Sequence, residues 1–273
     1  MSPKLSKPLS PGDVITEDLP IIHIIHNEYK DKYCDNCIQR SDQLKYCAKC
    51  LRFYYCSKEC QKNDWKYHKN ECPLYRHECI QTLLSDNDIR FWLRLYLSVQ
   101  KIPNFATKKH RLFDGSDVSL RDIEVKDIIV NEKERRDQLE DIYGIFRRLG
   151  VDYDPREVVH WFAFMATVPQ FQLKSNLRVG IIGRGLYIQY IVLGHSCQPN
   201  SAFIFNCRGL SKELRAMRPI EADEEITVAL VPLFQKRADR RQALKAYSIV
   251  CECDKCVHHL DRRVDYTRLT PTT

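Results

Sequence analysis

The sequence of 273 residues predicts an α+β fold of short strands and a few helices, with a zinc-binding module inserted near its beginning. Three observations support this prediction. Cysteines and one histidine are paired at metal-ligand spacing between residues 34 and 72, apolar residues recur at helical spacing in the middle of the chain, and short β-prone runs follow Val179. With 44% hydrophobic and 29% charged residues, the composition is that of a folded protein with a sizeable core.

Charge and composition limit which cellular compartments and which classes of partner are expected for the protein. The 43 Lys and Arg residues against 36 Asp and Glu residues leave a net charge of +7, which we interpret as a solvated surface, so nucleic acid is not expected as a direct ligand. The amino-terminal residues contain no apolar signal segment, and no stretch approaches the roughly 18 apolar residues of a membrane span. We therefore expect no membrane partner, a nuclear and/or cytoplasmic location, and cysteines that bind metal rather than form disulfides.

The first structured segment is predicted at residues 12–26, where apolar residues alternate and then run together after Gly12. This pattern predicts one or two short strands. Because no flexible linker separates the segment from Cys34, we interpret the zinc module as an insertion in a larger fold.

The zinc module contains eight candidate ligands in four pairs: Cys34 and Cys37, Cys47 and Cys50, Cys56 and Cys60, His68 and Cys72. Two ligands two or three residues apart can turn onto one ion, so four pairs fill two tetrahedral shells. A shell with four protein ligands leaves no position for water, which predicts structural rather than catalytic zinc. The spacing does not tell which pairs share an ion.

Three helices are predicted after the zinc module. The first has Ser85 as N-cap, Asp88 in its first turn and an apolar stripe of Ile89, Trp92, Leu93, Tyr96 and Leu97. The second ends before Gly150 and carries on one face Leu139, Ile142 and Phe146. The third starts at Asp154 with Pro155 and Glu157 in its first turn, and buries Val158, Trp161, Phe162 and Met165. Residues 102–132 show no steady period and predict a loop with short elements; the apolar stripes predict core and no cofactor site.

The pattern of the last third of the chain predicts strands around a polar segment that runs from Gly194 to Asn200, which we name the polar segment. Strand-like segments cover residues 202–207, 213–217 and 225–231. A basic helix, "QKRADRRQALKAY", follows, and Cys251, Cys253 and Cys256 add a further ligand spacing.

The zinc module resembles the MYND finger. The segment "YCAKCLRFYYCSKECQKNDWKYHKNEC" contains that family's aromatic before the third pair, its Cys-Ser-x-x-Cys-Gln run and its Trp before the histidine, which are Tyr55, Gln61 and Trp65. The resemblance implies interleaved pairing, with Cys34, Cys37, Cys56 and Cys60 on one zinc and Cys47, Cys50, His68 and Cys72 on the other. It also implies proline-rich peptides as partners.

A second resemblance, to the SET domain, rests on "GRGLY", "HSCQPNSAF", "DEEIT" and "CECDKC" in that order. The whole chain thus resembles SET and MYND domain lysine methyltransferases. This likeness implies a SET-domain fold of small antiparallel sheets, split by the finger and a helical segment. The implied domains are an amino-terminal SET part (1–33), the finger (34–72), a helical insert (73–160), the SET core (161–233), a zinc-binding post-SET segment (234–262) and a polar tail (263–273).

The SET resemblance also implies a third zinc ion, bound by Cys197, Cys251, Cys253 and Cys256. Three zinc ions per chain are therefore expected. Cys79 and Cys207 remain outside the ligand sets and are interpreted as small apolar side chains.

Four positions depart from the family pattern around the methyl donor, S-adenosylmethionine. The stretch "MSPKLSKPLSP" stands where a Gly-x-Gly loop is expected, Gly194 replaces an Asn, Leu230 replaces the tyrosine beside the reacting methyl, and Ile249 replaces an aromatic wall. The cofactor-contact positions that remain are Leu193, Gly194 and His195, and no catalytic residue is assigned. Loss of one well-placed polar group costs about 2.7 to 4 kcal/mol in a catalytic site, so several losses predict weak turnover or none.

The leading interpretation is a methyltransferase-like protein that is weak or inactive and retains zinc-dependent peptide binding. The alternative is an active lysine N-methyltransferase for histone tails or other proteins, which would use S-adenosylmethionine. A RING-like ubiquitin ligase is disfavoured because the Cys-Ser-x-x-Cys-Gln run and Trp65 fit the MYND pattern better.

Overall fold

The computed structural model describes residues 3–77, 84–125, 133–174, 180–205, 209–247 and 249–258. Within these residues the chain is a mixture of helices and small sheets, as the composition and periodicity predict. Cys79, Cys207 and the tail at 263–273 lie outside the described residues. No helix in the described part is both long and apolar enough to cross a membrane.

The strands are short, and most pair in small antiparallel sheets. In chain order they are β1 (Val14–Asp18), β2 (Ile22–Ile25), β3 (Lys45–Tyr46), β4 (Tyr54–Tyr55), β5 (His110–Arg111), β6 (Asp117–Val118), β7 (Phe171–Lys174), β8 (Ile181–Leu186), β9 (Gly194–His195), β10 (Ser201–Phe205), β11 (Lys212–Ala216) and β12 (Thr227–Val228). Two three-stranded sheets have the orders β1-β11-β10 and β2-β8-β7. Strands β9 and β12 form a parallel pair.

Strands that are distant in sequence pair with each other. Strand β1 pairs with β11 and β2 pairs with β8, although the zinc module and three long helices lie between them in sequence. The close approach of β2 to β8 requires glycine at position 183, because a Cβ there would collide with the carbonyl oxygen of Ile24. The zinc module is therefore enclosed in sequence by strands of one sheet.

The helices are α1 (Lys58–Glu71), α2 (Asn87–Lys101), α3 (Lys133–Leu149), α4 (Pro155–Thr167), α5 (Ile188–Ile191), α6 (Arg237–Leu244) and α7 (Asp254–Val257). The predicted start of α4 is confirmed, since the Asp154 side chain accepts a hydrogen bond from the backbone N–H of Arg156 at 2.8 Å. Gly150 follows α3 with a φ of 59°, a left-handed conformation that ends the helix.

The predicted N-cap of α2 is wrong by one residue. Asp86 rather than Ser85 caps the helix, because its carboxylate accepts from the backbone N–H groups of Asp88 at 2.6 Å and Ile89 at 3.3 Å. The predicted burial of Phe162 is also only partial, since the helix turns this ring to the edge of the core.

The predicted strand at 225–231 is shorter than expected. Thr227 and Val228 form a strand with β9, which is two residues long, and Glu225 makes an isolated bridge to Lys4. Beyond this strand the backbone N–H of Leu230 donates to the imidazole of His195 instead of continuing a ladder.

Helix α4 runs through residue 161, where the sequence predicted a domain boundary, so a boundary at that position would interrupt a continuous helix.

The apolar core joins the helices to the sheets. The aromatic residues of α2 and α3 meet there: the Trp92 and Tyr96 rings stack at 5.1 Å, and Phe146 lies 5.3 Å from Tyr96. All three side chains are buried. These stripes are core, as predicted.

Candidate metal centres and cofactor region

Three clusters of metal-ligating side chains lie in the described part of the chain. The ligand atoms of each cluster all lie within 4.8 Å of one another. We name them the first finger cluster (Cys34, Cys37, Cys56, Cys60), the second finger cluster (Cys47, Cys50, His68, Cys72) and the third cluster (Cys197, Cys251, Cys253, Cys256). The grouping in the finger is the interleaved one that the resemblance implies.

Local structure explains how the finger clusters assemble. Strands β3 and β4 form a hairpin whose loop contains the second ligand pair, Cys47 and Cys50, and α1 starts shortly after it at Lys58. Ser57 caps α1 by accepting from the backbone N–H of Cys60 at 3.1 Å. Since α1 also carries His68, one helix supplies ligands to both finger clusters.

The second finger cluster is buried and its histidine is oriented. His68 Nε2 lies 3.4 Å from the Cys50 sulfur, and Nδ1 faces the Glu71 carboxylate at 3.6 Å. Carboxylate contacts of this kind fix the ring of a metal-binding histidine and raise its basicity. The arrangement leaves Nε2 as the nitrogen that faces the sulfurs.

A buried cation joins this cluster to the body of the protein. Arg94 of α2 is 2% exposed and binds the carboxylates of Asp64 and Glu71, both on α1. Asp64 also accepts a hydrogen bond from the Tyr55 hydroxyl at 2.7 Å. Helix α1 is therefore attached to α2 by charge pairs rather than by an apolar seam.

The third cluster brings Cys197 of the polar segment together with the three cysteines Cys251, Cys253 and Cys256. Cys197 lies 3.5 Å from Cys256, and both sulfurs contact the guanidinium of Arg240 on α6. Burial raises the pKa of the Cys197 thiol to about 12. A buried sulfur of this kind needs a cation beside it to be a thiolate at neutral pH.

The three clusters fit zinc by their donor chemistry. The first finger cluster and the third cluster offer four cysteine sulfurs each, and the second finger cluster offers three sulfurs and an imidazole nitrogen, all at separations that surround one ion. Closed shells of this type hold chain segments together and supply folding free energy.

The region predicted for the methyl donor surrounds the β9–β12 pair. Gly194 pairs with Thr227 and His195 with Val228, which places Leu193, Gly194 and His195 beside the segment that carries Leu230. Leu230 and Ile249 both pack, half-buried, against the apolar side chains around the third cluster. The structure therefore brings the substituted positions Gly194, Leu230 and Ile249 to one region.

His195 has contacts at both ring nitrogens. Nδ1 accepts from the Leu230 backbone N–H at 3.1 Å, and Nε2 lies 3.4 Å from the Cys197 sulfur. Burial, and then the charge of Arg240, lower the pKa of His195 to about 4, so the ring is neutral at physiological pH. Neither nitrogen is positioned as a proton acceptor for a substrate.

These residues fit S-adenosylmethionine poorly. The ligand is polar and charged, and its polar groups need partners where they are removed from water. At the three substituted positions the chain offers a glycine without a side chain, an apolar leucine and an apolar isoleucine, while the His195 imidazole is engaged by protein groups.

Sequence reasoning missed the buried charges around the clusters. Glu71, Arg94 and Arg240 are not among the residues that the motifs specify, and the pattern "QKRADRRQALKAY" predicts only a basic helix. The available signal for Arg240 was its position four residues before Leu244, which is fully buried on the same face of α6.

The comparisons with known proteins agree with this architecture. Residues 34–72 match the model of the MYND finger family. The chain is 27% identical over 253 residues to the histone-lysine N-methyltransferase ASHR1 of Arabidopsis thaliana, covering 90% of the chain and 50% of that protein. It is 27% identical over 255 residues to mouse histone-lysine N-methyltransferase SMYD3 (91% and 57%) and 27% identical over 256 residues to human N-lysine methyltransferase SMYD2 (92% and 56%).

The fold and the three clusters define a zinc-binding protein of mixed helices and small sheets that contains a MYND finger. The chain spans about half the length of the curated relatives it matches. The finger, and the similarity to these methyltransferases along nine-tenths of the chain, support a relation to SET and MYND domain proteins.

Proposed function

We propose that the sheets outside the finger form a SET domain whose methyl-transfer site is weak or inactive, and that the protein acts by binding protein segments through its zinc-dependent finger. The observation that carries the first half is the environment of His195 and Leu230. Proteins of this family transfer a methyl group to a lysine amine, which requires an oriented donor and a neutral, aimed amine. Here Leu230 contributes only an apolar side chain, and His195 is bound to a backbone N–H and a sulfur.

Each of the three clusters would hold one zinc ion with its four residues, and these ions would be structural. The two finger ions would stabilise the hairpin and α1, while the ion of the third cluster would attach the segment around Cys251–Cys256 to the polar segment. In this proposal the chain has kept the residues that stabilise the fold and lost those that contact the methyl donor.

The surface of the finger supports peptide binding. Tyr46 is 59% exposed and Trp65 is 37% exposed, and Lys49 lies 5.9 Å from the Trp65 ring. Exposed aromatic rings on a rigid module bind proline-rich segments well, because the extended peptide has little conformational entropy to lose. Partners of this class, in the nucleus or the cytoplasm, fit the surface; a histone tail is the corresponding substrate class if catalysis is retained.

The peptide proposal is tested with a proline-rich peptide and a scrambled peptide without adjacent prolines. We expect saturable binding of the first peptide, and a loss of affinity of at least about tenfold in Tyr46→Ala and Trp65→Ala, because central aromatic anchors dominate such interfaces. Phe234→Ala is the matched control, since Phe234 is 88% exposed but lies outside the finger. Equal affinity of the two peptides, with full zinc content in every variant, would exclude this function.

The second candidate is an active lysine methyltransferase, and the relatives favour it. ASHR1 and SMYD3 are named histone-lysine N-methyltransferases and SMYD2 an N-lysine methyltransferase. For this chain the candidate requires S-adenosylmethionine to bind despite Gly194, Leu230 and Ile249. Titration of the zinc-loaded chain with S-adenosylmethionine, beside a methyl-transfer assay, separates the two candidates.

A further inference from the structure

Arg240 is placed against the sulfurs of the third cluster. Its side chain is completely buried on α6, with Nε 3.3 Å from the Cys197 sulfur and Nη2 3.8 Å from the Cys256 sulfur. Nη1 donates to the backbone oxygen of Gln235 at 2.6 Å, which fixes the plane of the guanidinium. The next residue, Arg241, is exposed.

The charge of the cluster explains why a cation is buried there. Four thiolates and one divalent zinc ion carry a formal charge of minus two, and burial of net charge is costly unless it is paired. An arginine in contact with two of the four sulfurs offsets half of that charge and donates N–H groups to the sulfurs. Arginine suits this position because it stays protonated when buried and offers several donors in one plane.

His195 provides a second donor to the same sulfur. Since Nδ1 accepts from the Leu230 backbone N–H at 3.1 Å, Nδ1 carries no proton and the ring N–H is that of Nε2, which lies 3.4 Å from Cys197. The Cys197 sulfur is thus approached by N–H groups from β9 and from α6.

We propose that Arg240, assisted by His195, is a positioning residue of the third zinc site. The N–H groups of these two side chains lower the charge on the Cys197 thiolate and thereby set how tightly the zinc ion of this site is held. This inference rests on the proposed zinc site. It extends that proposal by assigning a role to two side chains that are not ligands. Through Arg240 the site depends on α6, and through His195 it depends on the strand pair that carries Leu230.

The test measures zinc release from the full chain with a chelating dye. The wild type should contain three zinc ions, and Arg240→Met should release one of them about tenfold faster or more, because loss of an outer partner of a metal ligand costs about 10- to 100-fold in affinity. The other two ions, in the finger, serve as an internal reference. Arg241→Met is the matched control and should release all three ions at the wild-type rate.

A spectroscopic readout separates positioning from general loss of structure. In the cobalt-substituted protein, loss of N–H donors makes the Cys197 sulfur more electron-rich, so the sulfur-to-cobalt charge-transfer band should shift to longer wavelength in Arg240→Met. Arg240→Lys keeps the charge but has a different donor geometry, and should fall between the wild type and Arg240→Met in both measurements.

The outcomes distinguish the inference from the site on which it rests. A wild type with two zinc ions would remove the third site itself, and the inference with it. Three zinc ions in the wild type, with unchanged release and an unchanged cobalt band in Arg240→Met, would overturn the inference alone. If Arg240→Met does not fold, Arg240→Lys decides: faster release of one ion supports the role, and wild-type release overturns it.

Discussion

At the residue scale, Lys212 is a cation buried in an aromatic environment. Its side chain is 3% exposed, and Nζ donates to the backbone oxygen of Gln172. The amine lies 5.5 Å from the centroid of the Phe171 ring and 5.2 Å from that of Tyr187. Burial, followed by the charge of Lys174, lowers the pKa of Lys212 to about 7.

This burial predicts a specific pH dependence of stability. Between pH 7 and about 10 the unfolded chain binds the Lys212 proton and the folded chain does not, so the free energy of unfolding should rise with pH in this window. Lys212→Met removes this contribution. The stability of Lys212→Met minus that of the wild type should therefore fall as pH rises from 7 to 10, as measured by urea unfolding.

The matched control for that measurement is Lys245→Met, because Lys245 is exposed. Its stability relative to the wild type should be independent of pH in the same window. A constant difference for Lys212→Met as well would show that the amine is solvated and charged in the folded protein.

At the scale of secondary-structure elements, the attachment of α1 to α2 depends on Arg94. Removing this cation leaves the buried carboxylates of Asp64 and Glu71 without the guanidinium that pairs with both, and breaking a buried ion pair on one side costs about 3 to 5 kcal/mol. We expect Arg94→Met to lower the free energy of unfolding by that amount. Lys101→Met, an exposed substitution on the same helix, should change it by less than about 0.5 kcal/mol.

Urea unfolding monitored by circular dichroism measures the free energy of unfolding of the Arg94→Met and Lys101→Met variants, with zinc content determined before each experiment. Similar stability of the two variants would mean that the charge pairs between α1 and α2 are compensated by solvent. It would also mean that the finger is attached to the body by other contacts.

The long helices show why a buried apolar stripe is predictable from sequence and a buried polar face is not. Helices α2, α3 and α4 bury apolar stripes at helical spacing, and a stripe is visible in sequence. Helix α1 buries Asp64, His68 and Glu71 instead, so its contact face is polar and produces no apolar period. Its signal was the Ser57 cap, which lies inside the ligand pattern.

At the scale of the whole molecule, ligand spacing predicted which cysteines could bind metal, and only family resemblance predicted their grouping. Local patterns also could not predict that β2 pairs with β8 across more than half of the chain, because strand register depends on distant partners. The contacts of Cys197 with Arg240 and His195 depend on the same long-range folding. The candidate site was thus predictable in its ligands and not in the charges around them.

The central claim is that the molecule retains its structural zinc sites and lacks polar partners for S-adenosylmethionine. The measurement that tests it most directly is isothermal titration of the zinc-loaded chain with S-adenosylmethionine, beside a methyl-transfer assay on histones. Each unpaired polar group of the ligand costs about 1 to 3 kcal/mol, so we expect a Kd weaker than about 100 μM and no turnover. Leu230→Tyr restores one hydroxyl and should be the variant in which any activity first becomes detectable. Saturable micromolar binding with methyl transfer by the wild type would contradict the account.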